Sequence, residues 1–188
     1  MGALLLLPSL AVFGHPTATR VLAWEHGAAL SEPWRLWSAA WVHLSLLHLV
    51  ANAAGTLLVT ALGLAARLPR RAALAWALAW PLTHLGLLAL PGIGRYGGLS
   101  GVLHAGVAIV AVALLKEEPR HERGLGLAIV VALALKLLWE AAWRETITHP
   151  VGWDIAVAPG AHASGALAGV VLAGWLCRPQ RQAGQVPR

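Results

Sequence analysis

This chain is poor in charge and in sulfur. Charged residues make up 12% of its 188 positions, against roughly 25% in an ordinary soluble domain. A water-facing globular surface is hard to build from so few. One cysteine, Cys177, excludes an internal disulfide and any multi-cysteine zinc site. Phenylalanine and tyrosine occur once each, as Phe13 and Tyr96. No internal repeat and no second domain are visible. Intrinsic disorder is excluded, because apolar residues reach 58%.

The apolar residues are gathered into runs, and the mean hydropathy is +0.67. A span needs about 20 apolar residues to cross about 30 Å of hydrocarbon. Five runs qualify or come close: 44–65, 72–90, 100–115, 124–143 and 161–177. The third is short and suits a helix shielded by its neighbours. A sixth stretch, 3–14, would reach only about 18 Å as a helix. It reads as a shortened first span, since no basic segment precedes it as in a signal peptide. The sequence predicts an all-α, polytopic membrane domain over 1–177 and a polar tail over 178–188. Ten tryptophans, several near the ends of runs, suit the lipid interface, and the segment 14–43 with Trp24, Trp34, Trp37 and Trp41 is expected to lie there.

Charge gives orientation. The formal charge of +6 would also suit a nucleic-acid partner, but in a membrane protein basic excess belongs to cytoplasmic loops. Segments 66–71, 116–123 and 178–188 hold nine Lys and Arg, whereas 14–43, 91–99 and 144–160 hold four. The first set, with the tail, is therefore expected in the cytoplasm and the second outside. Lys136 falls within a run.

Polar groups within spans are costly, so each is a functional candidate. They are His48, Asn52, His84, Ser100, His104, Lys136, Glu140 and His162. The topology places His48, Asn52, Ser100 and His162 near the outer ends of their spans, at one shared level. Ser100 lies in Gly97-Gly98-Leu99-Ser100-Gly101, where glycines allow a sharp bend and a helix N-terminus offers free N–H groups. A packing serine or an N-cap would look the same. His162 precedes Gly165-x-x-x-Gly169, a face that lets another helix approach closely. Close approach is what a Ser–His hydrogen bond between two helices requires. No Asp or Glu is expected in the outer half of a span as a third member, and Asp154 lies in a loop, so a Ser–His dyad is the leaner reading. His48 and Asn52, four apart, share one helix face with His43 at its mouth. Imidazole and amide N–H groups both serve as oxyanion donors, and both also serve as interhelical hydrogen-bonding glue. No H-E-x-x-H motif occurs, so no metal is expected. Histidine-ligated haem is a competing reading for an apolar bundle with nine His. Lys136 and Glu140, at i and i+4, read as an ion pair or as a contact to substrate.

Together the pieces Trp34-Arg35, His43-Leu-Ser-Leu-Leu-His48-Leu-Val-Ala-Asn52, Gly98-Leu99-Ser100-Gly101 and Ala161-His162-x-x-Gly165-x-x-x-Gly169 resemble the rhomboid family of intramembrane serine proteases. The resemblance implies a six-helix bundle, Ser100 as nucleophile and His162 as general base. It also implies an oxyanion hole of His48, Asn52 and the Leu99 and Ser100 backbone, supported by Gly98, Gly101, His104 and His43. Tyr96-x-Gly98-Leu99-Ser100-Gly101-Val102-Leu103-His104 and the Lys136/Glu140 pair look closest to the rhombosortase branch. That branch implies an inner-membrane, multi-pass enzyme without cofactor, its site facing the periplasm, cutting a Gly-Gly-type C-terminal membrane anchor from secreted proteins. Lys136 and Glu140 are then candidates for substrate recognition. Two departures stand out. His104 occupies the place of a tyrosine that stacks on the base in most rhomboids, and Ala158-Pro159-Gly160 precedes His162. A rhomboid-like pseudoprotease that binds membrane clients is the alternative within the family.

Overall fold

A computed structural model describes residues 1–90, 92–116, 120–141 and 143–177. The expected tail 178–188 lies outside them. The order is α1 (Gly2–Val12), α2 (Pro16–Leu22), β1 (Trp24–Glu25), α3 (Arg35–Ser38), α4 (Leu46–Ala65), α5 (Arg70–Leu85), β2 (Arg95–Tyr96), α6 (Ser100–Leu115), α7 (Arg120–Glu140) and α8 (Pro159–Leu176). The five long helices fall on the five runs. Among the described residues, Leu46–Ala65 and Arg70–Ala89 are by themselves long and apolar enough to cross a membrane, and α1 and α6 are shorter apolar helices. Leucine, valine and tryptophan side chains stand exposed along α4, α7 and α8, as a lipid-facing surface requires.

α6 is apolar all round, which is the signature of a central helix. Most of its residues are buried, from Gly101 to Leu114. Its neighbours come close because small residues face it. A Cβ on Gly165 would strike the Gly101 carbonyl, and one on Gly169 would strike the carbonyl of Ala105. This is the close approach expected of the G-x-x-x-G face of α8. Gly106 makes room for the Trp76 indole of α5, whose Nε1–H donates to the Val102 carbonyl at 2.8 Å. Gly126 does the same for α7 against the Ala111 carbonyl.

The segment before α4 is more ordered than its sequence suggests. α2, α3 and a 3-10 turn at Ala39–Trp41 pack it down, and β1 pairs antiparallel with β2, Trp24 opposite Tyr96 and Glu25 opposite Arg95. Arg35 is buried; its guanidinium donates to the carbonyls of Arg20 and Ala23 and to the Glu32 carboxylate. The expectation of interfacial tryptophans is corrected in part. Trp24, Trp76 and Trp80 are buried. Trp76 and Trp80 each spend their N–H on a backbone carbonyl, which lets an indole enter a core. Trp34, Trp37, Trp139, Trp143, Trp153 and Trp175 are exposed.

Candidate active site

The chain alternates direction through α4–α8, so the start of α4, the start of α6, the end of α7 and the start of α8 meet at one end. Ser45 caps α4, its hydroxyl accepting the His48 N–H at 3.1 Å and donating to Asp154 Oδ1 at 2.7 Å. The cap fixes the first turn, and His48 and Asn52 project from it into the bundle, each buried. His48 Nδ1 accepts the Leu44 N–H at 3.4 Å, which leaves the proton of the neutral ring on Nε2. Both His48 Nε2 and the Asn52 amide nitrogen lie over Gly98. A Cβ there would come within 2.7 Å of His48 Nε2 and 3.8 Å of Asn52 Nδ2, and Gly98 has φ +138°. Only glycine suits that backbone and that space. Asn52 Nδ2 is buried without a hydrogen-bond partner. An unpartnered buried donor typically costs about 1–3 kcal/mol, and this one lies beside the Ser100 turn.

Ser100 opens α6, with the buried Leu99 at its N-cap. The turn is held by the Gly98 N–H to the Ala39 carbonyl at 2.9 Å and by the β1–β2 pair. The N–H groups of this first turn lack intrahelical acceptors. Gly101 packs against Ala161 and Gly165 of α8, and His104, one turn into α6, bonds the Ser100 carbonyl and stacks on His162. Ser100 Oγ is within hydrogen-bond distance of Tyr96 OH, at 3.3 Å, and makes no hydrogen bond to His162. Tyr96 is the residue that sequence reasoning passed over. Its burial holds the phenol's pKa above its ordinary value, so it stays a hydroxyl.

His162 is gripped on two sides. The His104 ring stacks on it, centroids 4.2 Å apart and planes 11° apart. An imidazole thus fills the place where the resemblance expects a tyrosine ring. His104 is held in turn by its Nδ1–H to the Ser100 carbonyl at 2.7 Å. On the ring edge, His162 Nδ1 is 2.8 Å from Glu140 Oε2, and the other oxygen of Glu140 pairs with Lys136. The expectation that no Asp or Glu lies in the outer half of a span as a third member is therefore corrected: Glu140 ends α7 within hydrogen-bond distance of His162. The ion pair between Lys136 and Glu140 is present as read from the i, i+4 spacing.

His43 lies against His48, ring centroids 4.8 Å apart and planes tilted by 57°, and gives its Nδ1–H to the Trp41 carbonyl. Burial lowers its pKa from 6.5 to about 4, so it stays neutral. His84 is buried in the core, its Nδ1–H on the Leu36 carbonyl at 2.6 Å.

His104, Glu140 and His162 bring three possible ligand atoms within 4.8 Å of one another. The nearly parallel rings aim their nitrogen lone pairs along parallel planes rather than at a common centre, and both Glu140 oxygens are engaged. The set suits a hydrogen-bonded array better than a metal centre. Rings in direct contact, as in His43/His48 and His104/His162, also leave no room for a haem between them.

The Rhomboid domain family model matches residues 30–179 of the chain. No curated protein matches it.

Proposed function

The chain belongs to the rhomboid family, whose members are membrane-embedded and cut membrane proteins within the bilayer, and from that premise we propose that it is a serine protease acting through Ser100 and His162. The observation that carries the proposal is the buried, unpartnered Asn52 amide beside His48 Nε2, both over the backbone that leads into Ser100. Two such donors beside the backbone that leads into Ser100 support an oxyanion-binding reading, in which they would meet the charge of a tetrahedral intermediate.

In this reading Ser100 Oγ leaves Tyr96 and turns to His162 Nε2. That nitrogen takes the hydroxyl proton as Oγ attacks the scissile carbonyl carbon. His48 Nε2–H, Asn52 Nδ2–H and the Leu99 and Ser100 N–H groups hold the oxyanion. The C–N bond breaks, and His162 returns the proton to the leaving amine. Water, deprotonated by His162, then attacks the acyl carbon and frees Ser100. Gly98 and Gly101 let the donors and α8 close in, while His43 and His104 back the two rings.

The substrate is the C-terminal anchor of a secreted protein, a Gly-rich junction ahead of one span and a basic end. Glycine costs about 1 kcal/mol of helix stability relative to alanine, so such a junction unwinds most easily and offers its carbonyls. The domain over 1–177 crosses the membrane six times, α1 as a short first span. The tail lies in the cytoplasm, and the site opens to the periplasm of a bacterial inner membrane. No cofactor takes part.

Co-expression with a secreted protein bearing such an anchor tests the reading. Release of that protein by the wild type and not by Ser100→Ala is expected, together with fluorophosphonate labelling that Ser100→Ala abolishes. Release by Ser100→Ala would overturn it, as would a wild type that neither labels nor cleaves.

A further inference from the structure

Rhomboid chemistry as implied by the sequence needs a serine and a histidine, and it gives Glu140 no part in the proton transfers. We infer that Glu140 is a positioning residue for His162, its carboxylate holding the Nδ1–H and thereby presenting Nε2 to Ser100, so that three helices supply an array of serine, histidine and glutamate. The inference rests on the protease reading and deepens it.

Four observations carry it. The Nδ1–Oε2 separation is 2.8 Å, between side chains from α7 and α8 that are largely buried, with 6% and 15% exposure. The bond selects one tautomer: a carboxylate only accepts, so the proton sits on Nδ1 and the lone pair on Nε2. The second Glu140 oxygen is taken by Lys136, whose own side chain is 50% exposed. Lys136 therefore holds the carboxylate from one turn earlier on α7 and offsets its charge. Finally, the ring is confined on its face by His104 as it is on its edge by Glu140. A ring held in two directions is preorganised, and the proton it accepts is stabilised by the carboxylate across the same bond. Removing the equivalent carboxylate in the Ser-His-Asp proteases costs on the order of 10⁴-fold in kcat.

This assignment replaces the expectation that Glu140 reads the substrate. With both oxygens committed inside the protein, its free valence toward a substrate is small.

The test compares the wild type, Glu140→Gln, Glu140→Asp and Lys136→Met in detergent, reading kcat and KM on an anchor peptide, the rate of fluorophosphonate labelling, and Tm. Glu140→Gln keeps shape and an acceptor and loses the charge. It should lower kcat by 10²-fold or more at unchanged KM, and slow labelling in parallel, with Tm near that of the wild type. Glu140→Asp should restore part of the rate, and Lys136→Met should cost several-fold. Labelling uses no peptide, so a role in substrate recognition would instead raise KM and leave labelling intact. That result, or a folded Glu140→Gln labelling within twofold of the wild type, overturns the inference. Should Glu140→Gln fail to fold, Glu140→Asp decides: wild-type kcat there overturns it. A wild type that labels and cleaves while the Glu140 variants match it would sink this inference alone. A wild type that does neither sinks both readings.

Discussion

The end of the bundle that carries Ser100 and the end that carries Lys116 solve the same problem in opposite ways. At the Lys116 end, a cation is matched in full. Its ammonium donates to the carbonyls of Ala173, Gly174 and Cys177 at 2.8–3.0 Å, capping the last turn of α8 where the helix dipole favours a cation. At the Ser100 end, buried polar atoms are left open. Among the described residues, the buried side-chain atoms without partners are Trp24 Nε1, His43 Nε2, Asn52 Nδ2, Thr60 Oγ1 and His84 Nε2, and all but Thr60 belong to elements around the Ser100 turn. One end thus matches its cation in full, and the other leaves buried donors open, which under the protease reading a substrate would fill.

Four experiments sharpen or break that contrast. Asn52→Leu should lower kcat by about 10²–10³-fold, the usual loss for one oxyanion donor, while Tm holds or rises, because an unpartnered donor disappears and the Thr56 hydroxyl keeps its bond to the residue-52 carbonyl. Parallel losses of Tm and rate would break the contrast. The second concerns His43, whose pKa in the fold, about 4, lies below the unfolded 6.5. As pH falls through that window the unfolded chain binds the proton first. Its contribution is complete above pH 6.5, shrinks as pH falls and is gone near 4, a loss of roughly 3 kcal/mol. Tm followed against pH should show the slope in the wild type and a weaker one in His43→Gln.

The third and fourth perturb the other end. Gly126→Ala puts a Cβ within 2.9 Å of the Ala111 carbonyl and the Leu115 nitrogen, and overpacking of that kind costs about 1–3 kcal/mol. Tm should fall while kcat per folded molecule is unchanged. Lys116→Met should lose about 1 kcal/mol of stability, again without a change in kcat. A drop in kcat from either variant would mean that the two ends are coupled.

Much of this was legible in the sequence. The runs gave α4–α8 to within a few residues, because each apolar run is bounded by glycine, proline or charge. The G-x-x-x-G face of α8 and the glycines beside Ser100 predicted close contact, since a missing side chain can be read directly. The bond from Glu140 to His162 was not legible. It joins two helices through side chains alone, and the i, i+4 spacing to Lys136 already offered Glu140 a partner. Trp24 misled for a related reason: an indole in a segment rich in tryptophan reads as interfacial until the core it enters is known. The β1–β2 pair was hidden because two-residue strands leave no alternation to detect.

The division of labour between α6 and α8 has a consequence for biosynthesis. Ser100 leaves the ribosome well before His162, and Glu140 emerges between them. Under the protease reading, a nascent chain inserted only through α7 holds a hydroxyl, its oxyanion donors and a waiting carboxylate, but no base. Under the protease reading it is inert toward its neighbours in the translocation machinery until α8 slides in against Gly101 and Ala105.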